Sequence, residues 1–338
     1  METQNVACTV IVGGFFGDEG KGKIASYLAI SNELAAMVRA GCGTNAGHTV
    51  VYNGEKFKLR QIPCGFVNEK TKLYMSAGVL VDPEVILKEI EETNTKEKLK
   101  IDFQTGIIEP QHRERDTGTT ISKIIGTTGS GSGPCNVDRA SRVGKVAKDI
   151  PELAEYLSDV TLEVNELIDA QENVVLEGTQ GTFLSLYHGT YPYVTSKDVC
   201  ASAICSDVGI GPTKIDDVLV IFKAYVTRVG EGPLEGELSE EETIRRGWQE
   251  KGTVTGRTRR ASPFSFRLAK RAVLLNGATQ CALTKLDIVF PDAQGIKTFE
   301  ELPKEAIEFI RKIEVQLKIP VTLIGTGPSV EEIIDRRA

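Results

Sequence analysis

The chain has 338 residues, 41% hydrophobic and 26% charged, which is enough length for a full core and a composition near the globular average. A net charge of −7 argues against a general nucleic-acid surface and leaves small anions held by local basic clusters, and no apolar run is long enough to span a bilayer. The opening Met1–Asn5 lacks the basic region, apolar core and cleavage site of a secretory leader, so a cytoplasmic enzyme with neither nucleic-acid nor membrane partner is expected.

In chain order, Val6–Val12 is a β-branched apolar run, followed by a glycine-rich loop and then Ile24–Ile30 at helical spacing: strand, loop, helix. Further buried strands are expected at 34–38, 174–176, 218–222, 282–283 and 321–324. Helices are expected at 83–92, 151–157, 264–275 and 304–317, the first with Asp82 as cap ahead of a proline. Val50–Phe57 reads as a hairpin around Asn53-Gly54, and Gly126–Gly133 as a mobile or ligand-shaped loop. With no repeat and no linker, these elements predict a single large α/β domain over residues 1–338. It is built on a mostly parallel central sheet with helices and hairpin or loop insertions. The seven cysteines are scattered without a Cys-x-x-Cys pair and read as small buried hydrophobes, and three histidines make imidazole-based metal clusters improbable.

The chemistry starts at Gly17-Asp18-Glu19-Gly20-Lys21-Gly22-Lys23. Its glycines let backbone N–H groups converge on an anion at a helix N-terminus, which suits phosphate. The run satisfies G-x-x-x-x-G-K, but Ile24 stands where an ordinary P-loop has the hydroxyl for magnesium, and Asp18 supplies a carboxylate inside the loop instead. A second loop, Gly43–Thr49, follows the second strand and reaches the same sheet edge, bringing His48 near Asp18 for acid or electrostatic duty. Thr284-Lys285-Leu286-Asp287 ends a strand and resembles the guanine box of GTP-binding proteins, since a carboxylate accepts from guanine N1–H and its 2-amino group where adenine offers neither. Thr253–Arg260 holds three arginines around Gly256 and suits a dicarboxylate or a phosphate; a solvated basic loop is the alternative. Glu177–Thr182 and His188–Thr195 offer amides and hydroxyls, readable either as ligand contacts or as polar turns, with His188 and His112 taken as structural. A GTP-dependent switch and a small-molecule kinase are the competing readings at this point.

Together and in order, GDEGKGK at 17–23, NAGHT at 45–49, GTTGSGSGP at 126–134, EGTQGT at 177–182, HGTYPYVTS at 188–196, KAYVTRVGEGP at 223–233, TGRTRR at 255–260, TKLD at 284–287 and GTGP at 325–328 resemble the adenylosuccinate synthetases, a P-loop-NTPase-like family, over nearly the whole chain. The resemblance implies a ligase of purine biosynthesis. It would join IMP to L-aspartate with GTP and Mg²⁺ through a 6-phosphoryl-IMP intermediate, giving adenylosuccinate, GDP and phosphate on the way to AMP. It implies Asp18 as the base at IMP N1, His48 as the acid at the transferring phosphoryl group, Lys21 on phosphate, and Asp18 with the Gly47 carbonyl on Mg²⁺. GTP would take Gly17, Glu19, Gly20, Gly22, Lys23, Gly47, Thr49, Arg259, Lys285, Leu286, Asp287, Gly325, Thr326 and Gly327. IMP and aspartate would take Asn45, Ala46, Thr128, Gln180, Thr195, Arg257 and the closing loop of Thr253, Val254, Thr255, Gly256, Thr258 and Arg259. Arg142 would reach IMP from the other subunit of a homodimer. Phe15 replaces a usual glutamine, Ser130 and Ser132 vary a loop that often carries a basic residue, and the chain is shorter than most members between Arg142 and Gln180 and after Asp287.

Overall fold

The computed structural model describes residues 8–252 and 256–337, so Val6 and Ala7 of the expected first strand and Thr253, Val254 and Thr255 of the basic loop lie outside the described residues. Ten strands form the main sheet among the described residues. In chain order they are β1 Cys8–Gly13, β2 Ala36–Arg39, β3 Lys72–Met75, β4 Leu99–Asp102, β5 Leu157–Ser158, β6 Val174–Glu177, β7 Asp217–Lys223, β8 Gln280–Thr284, β9 Val321–Gly325 and β10 Ile333–Asp335. Their spatial order is β10-β9-β8-β7-β1-β6-β2-β3-β4-β5, parallel throughout except for the β9–β10 pair.

The apolar runs are continuous because both faces are covered. Val10, Val12, Leu176, Val220 and Phe222 enter one core cluster, and the alternating Ile11, Val175, Leu219 and Ile221 enter the other. Since the strands are parallel, the loops leaving Gly13, Arg39, Glu177, Lys223, Thr284 and Gly325 all emerge on one edge, where α/β sheets bind ligands. No helix among the described residues is long and apolar enough to cross a membrane.

The first helix runs Lys21–Ser31, three residues earlier than its apolar period, because Gly20 at φ 84° turns the loop directly into it. The hairpin forms from His48–Tyr52 and Glu55–Leu59, with Asn53 and Gly54 at φ 49° and 80° as the Asn-Gly signal requires. Residues 151–157 depart from the expected α-helix. Pro151–Tyr156 is a 3₁₀ segment, since Leu157 is drawn into the sheet opposite Ile101 and leaves too few residues for α-helical turns. The expected loop at 126–133 gives way at Ser132 to a helix through Ala140, entered from Gly131 at φ 80°. All seven cysteines are buried and unbridged, and His112 is a structural residue, its ring accepting from Glu109 N and facing Asp138.

Candidate active site

The glycine loop has two faces. On its underside Glu19, fully buried, accepts from Phe15 N at 2.9 Å and Gly17 N at 2.8 Å through one oxygen and pairs with Lys21 Nζ at 3.1 Å through the other. Lys21 Nζ also donates to the Gly17 carbonyl at 3.0 Å. A β-carbon on Gly13 would lie 2.3 Å from Glu19 Oε2, so glycine there makes room for this acid. Donors of the kind that an ordinary P-loop offers to phosphate are thus taken by a side chain of the loop itself. The Phe15 ring packs in the core against Phe222 and Phe264, so its departure from glutamine changes the sheet contact and leaves the cavity wall untouched.

On the upper face Phe16, Gly17 and Asp18 line a cavity of about 450 Å³ together with Asn45, Ala46, Gly47 and His48. Asp18 Oδ2 accepts from the Thr227 hydroxyl and lies 3.7 Å from Lys223 Nζ and 3.4 Å from Arg259 Nε. Its Oδ1 is buried without a partner among the described residues. Behind it Glu250 takes Lys223 Nζ at 3.1 Å, the Tyr225 hydroxyl and Arg259 Nη1. Burial alone would raise the Glu250 carboxyl, but Lys223 and Arg259 hold it down at about 2.

His48 begins the hairpin strand beside this loop, where a β-carbon on Gly22 would come 3.0 Å from its Cβ. Arg39 and Glu177 are register partners at the ends of β2 and β6. His48 Nδ1 lies 2.6 Å from Glu177 Oε1, Arg39 Nη1 lies 2.5 Å from the same oxygen, and Glu177 Oε2 accepts from Cys64 N at 2.8 Å. Glu177 Oε1 can only accept from Nδ1, whereas Arg39 Nη1, also 2.5 Å from Nδ1, can only donate to it, so the two neighbours make opposite demands on that nitrogen; Nε2 is buried without a partner among the described residues. Burial, then Arg39, push the imidazole down to about 4, so the ring is neutral in the absence of ligand. Glu177 is held at about 2 against its burial by Arg39 and His48. His48, Cys64 and Glu177 have ligand atoms within 4.8 Å of one another. The guanidinium already seated on the carboxylate, and a thiol pushed well up by burial, make this a poor cation site.

Asn45, Gln180 and Thr195 form a chain in the cavity wall: Gln180 Nε2 donates to Asn45 Oδ1 and Asn45 Nδ2 to Thr195 Oγ1, each at 3.1 Å. Thr128, Ser130 and Ser132 also line the cavity as linked hydroxyls, so the two serine departures put small neutral groups in its wall. Arg257 Nη2 donates to the carbonyls of Gly126 and Thr127 at 2.9 and 3.0 Å, tying the basic loop to this segment. The base of that loop is a narrow hairpin, with Gly252 N on Arg257 O, Gly256 at φ 66° and Thr258 bridged to Lys251. Arg142 is not brought to the cavity: it is exposed, at φ 64°, in the turn after the 132–140 helix.

Lys285, Leu286 and Asp287 lie apart from the cavity lining. Lys285 at φ 61° turns β8 into the short helix Leu286–Val289, and Asp287 Oδ1 is buried without a partner, its carboxyl raised by burial. Lys23 Nζ donates to the Gly327 and Glu332 carbonyls at 2.5 and 2.8 Å, and Thr284 Oγ1 to Glu19 O at 2.6 Å, tying Gly325, Thr326 and Gly327 and the end of β8 to the glycine loop. A β-carbon on Gly327 would meet Glu332 at 2.4 Å. Thr49, next to His48 on the hairpin, stands behind Gly22, with its carbonyl 3.2 Å from where that β-carbon would be.

Sequence reading missed Arg39, Glu177, Lys223, Tyr225, Thr227 and Glu250. Two signals were available: a charged residue closing an apolar run at Arg39, Glu177 and Lys223, and polar groups at every second position in Lys223, Tyr225 and Thr227. Arg228, on the opposite face, donates to the Pro233 and Tyr193 carbonyls and stacks over Phe16 at 4.5 Å.

The family model for adenylosuccinate synthetase matches residues 10–154 and 145–291. The chain is 54% identical to the adenylosuccinate synthetase of Methanocaldococcus jannaschii, covering 98% of this chain and 97% of that one, and 52% identical to that of Archaeoglobus fulgidus, covering 98% and 99%. The fully ligated adenylosuccinate synthetase of Plasmodium falciparum superposes with a TM-score of 0.91 at 25% identity, over 97% of this chain and 99% of that one. This chain and the Methanocaldococcus jannaschii and Archaeoglobus fulgidus relatives thus match over nearly their whole lengths.

Proposed function

The chain belongs to the adenylosuccinate synthetase family, and from that premise we propose how its own residues carry the reaction. The enzyme is a GTP-dependent ligase that converts IMP and L-aspartate to adenylosuccinate in AMP biosynthesis. The observation that carries the residue assignment is a pair of buried, unpartnered polar atoms, Asp18 Oδ1 and His48 Nε2, on two residues lining one cavity. Asp18 takes the N1 proton of IMP, so that O6 forms a bond to the γ-phosphorus of GTP as the bond to GDP breaks. The aspartate amine then attacks C6 of the 6-phosphoryl intermediate, and phosphate departs with the former O6 while the amine loses a proton. His48 presents Nε2 to the transferring phosphoryl group, and the anion's charge favours a proton on that nitrogen while Nδ1 is held between Glu177 and Arg39.

Asn45, Thr128, Gln180, Thr195 and Arg257, all lining the cavity, would hold IMP, and the loop that carries Arg257 and Arg259 would close on aspartate. Mg²⁺ fits the hard oxygen donors of the Asp18 carboxylate and the Gly47 carbonyl, and when bound would neutralise phosphate charge. Asp287 Oδ1, buried and unpartnered, is an acceptor suited to guanine's N–H groups, and the stem of Lys285 would cover the base. Glu19 and Lys21 act from beneath the loop, fixing the backbone that meets phosphate.

Residues 1–338 act as one catalytic domain in the cytoplasm. The active form is a homodimer in which Arg142 of one subunit completes the IMP site of the other; Arg142 supports this by standing exposed between Val137 and Val143, themselves 57% and 74% exposed. Ultraviolet assay with IMP, GTP, magnesium and aspartate, each omitted in turn, tests the chemistry: product must require all four. Replacing Asp287 by Asn is expected to cut kcat/KM for GTP by about 10- to 100-fold through loss of charge-assisted hydrogen bonds. Native turnover with ATP equal to that with GTP would refute the guanine assignment.

A further inference from the structure

The segment Lys223–Arg228 runs along the floor of the site without an assigned task. Its alternate side chains Lys223, Tyr225 and Thr227 point the same way, toward Asp18 and Glu250. Lys223 and Thr227 are at most 1% exposed. An ammonium group has donors only, and Lys223 Nζ gives one to Thr227 Oγ1. The Thr227 hydroxyl is therefore an acceptor on that side, and its single proton goes to Asp18 Oδ2. Lys223 is itself fixed by Glu250 Oε2 at 3.1 Å and by the Tyr225 ring, whose centroid lies 4.6 Å from Nζ. Glu250 is fixed in turn by the Tyr225 hydroxyl and Arg259. One oxygen of Asp18 is thereby tied to the protein, and the other is left as the free acceptor.

We propose that Lys223, Thr227 and Glu250 are positioning residues that lock the Asp18 carboxylate by Oδ2 and aim Oδ1 at the substrate. Because Glu250 also holds Arg259, the same set joins the base of the aspartate loop to the acid that starts the reaction, so both chemical steps share one rigid mount. This rests on the reading of Asp18 as the base at IMP N1. A carboxylate that can rotate loses near-attack geometry but not ligand contacts, so the loss belongs in turnover and not in binding.

The test is a set of variants of the full-length enzyme, with kcat and KM for IMP and GTP measured beside calorimetric IMP binding and the unfolding midpoint. Thr227→Val keeps the shape and removes the proton to Oδ2; its kcat is expected to fall about 10- to 100-fold, with KM and the IMP dissociation constant within about threefold. Thr227→Ser restores the hydroxyl and is expected within about fivefold of native kcat. Glu250→Gln releases Lys223 and Arg259 without a change of size and serves where Thr227→Val does not fold; it is expected to lower kcat about tenfold or more with IMP binding retained. Native kcat in folded Thr227→Val, or Thr227→Ser as slow as Thr227→Val, overturns the proposal, as does native kcat in Glu250→Gln. Asp18→Asn separates the two levels. If Asp18→Asn still turns over, the reading of Asp18 fails; if it is dead while Thr227→Val is native, only the positioning role fails.

Discussion

Asp18 and Glu19 are neighbours in one loop, yet their carboxylates live in opposite environments. Glu19 points beneath the loop, where two backbone N–H groups and Lys21 satisfy it completely; Asp18 points above, where the protein satisfies one oxygen and leaves the other open in a cavity wall. The same division separates Phe15, in the sheet core, from Phe16, in the cavity wall. A motif of consecutive polar residues is thus two layers, one that builds the loop and one that uses it. A saturated buried acid contributes to the fold and a half-saturated one is available for chemistry.

The largest expected effect belongs to the upper face. Asp18→Asn keeps the hydrogen bond from Thr227 and the volume of the side chain while removing a base. Formation of adenylosuccinate is expected to fall by about 100- to 10,000-fold, with the unfolding midpoint close to native. Glu19→Gln should do the reverse. It leaves the buried ammonium of Lys21 with only the Gly17 carbonyl, and breaking such a pair costs about 3–5 kcal/mol, read as a lower denaturant midpoint. The IMP KM of the folded fraction should stay within about threefold. A Glu19→Gln protein of native stability and lost turnover would erase the distinction between the two layers.

How much of this was legible follows from how local each signal is. The strands, the first helix and the Asn-Gly hairpin were readable because apolar period and turn residues act within a few positions. Asp18, His48 and Asp287 were readable because loop and box motifs place their residues together in sequence. The direction in which Glu19 and Lys21 point was not, since it depends on Gly13 giving room from β1 and on Thr284 holding Glu19 O from β8. Arg39 with Glu177 meet only because β2 and β6 are register partners although 138 positions separate them. The 151–157 segment was misread for a similar reason: its pairing partner, Ile101, is remote, and pairing outweighed local helix preference.

Phe15 gives the smallest and most discriminating expectation. By sequence, an aromatic ring where the family resemblance implies glutamine suggests an altered nucleotide contact. By structure, the ring is 1% exposed, with ring centroids 5.0 Å from Phe222 and 5.4 Å from Phe264, and only the backbone N–H of this residue serves the loop, through Glu19. Phe15→Leu retains that N–H and loses part of the aromatic packing, so it should cost about 1–1.5 kcal/mol of stability. Turnover and the KM values for GTP and IMP should remain native within about twofold, because nothing on the upper face is removed. A change in KM with unchanged stability would show that the layers communicate through the side chain at 15. A fall in stability alone leaves the backbone of Phe15 as its contribution to the site and the ring as its contribution to the core.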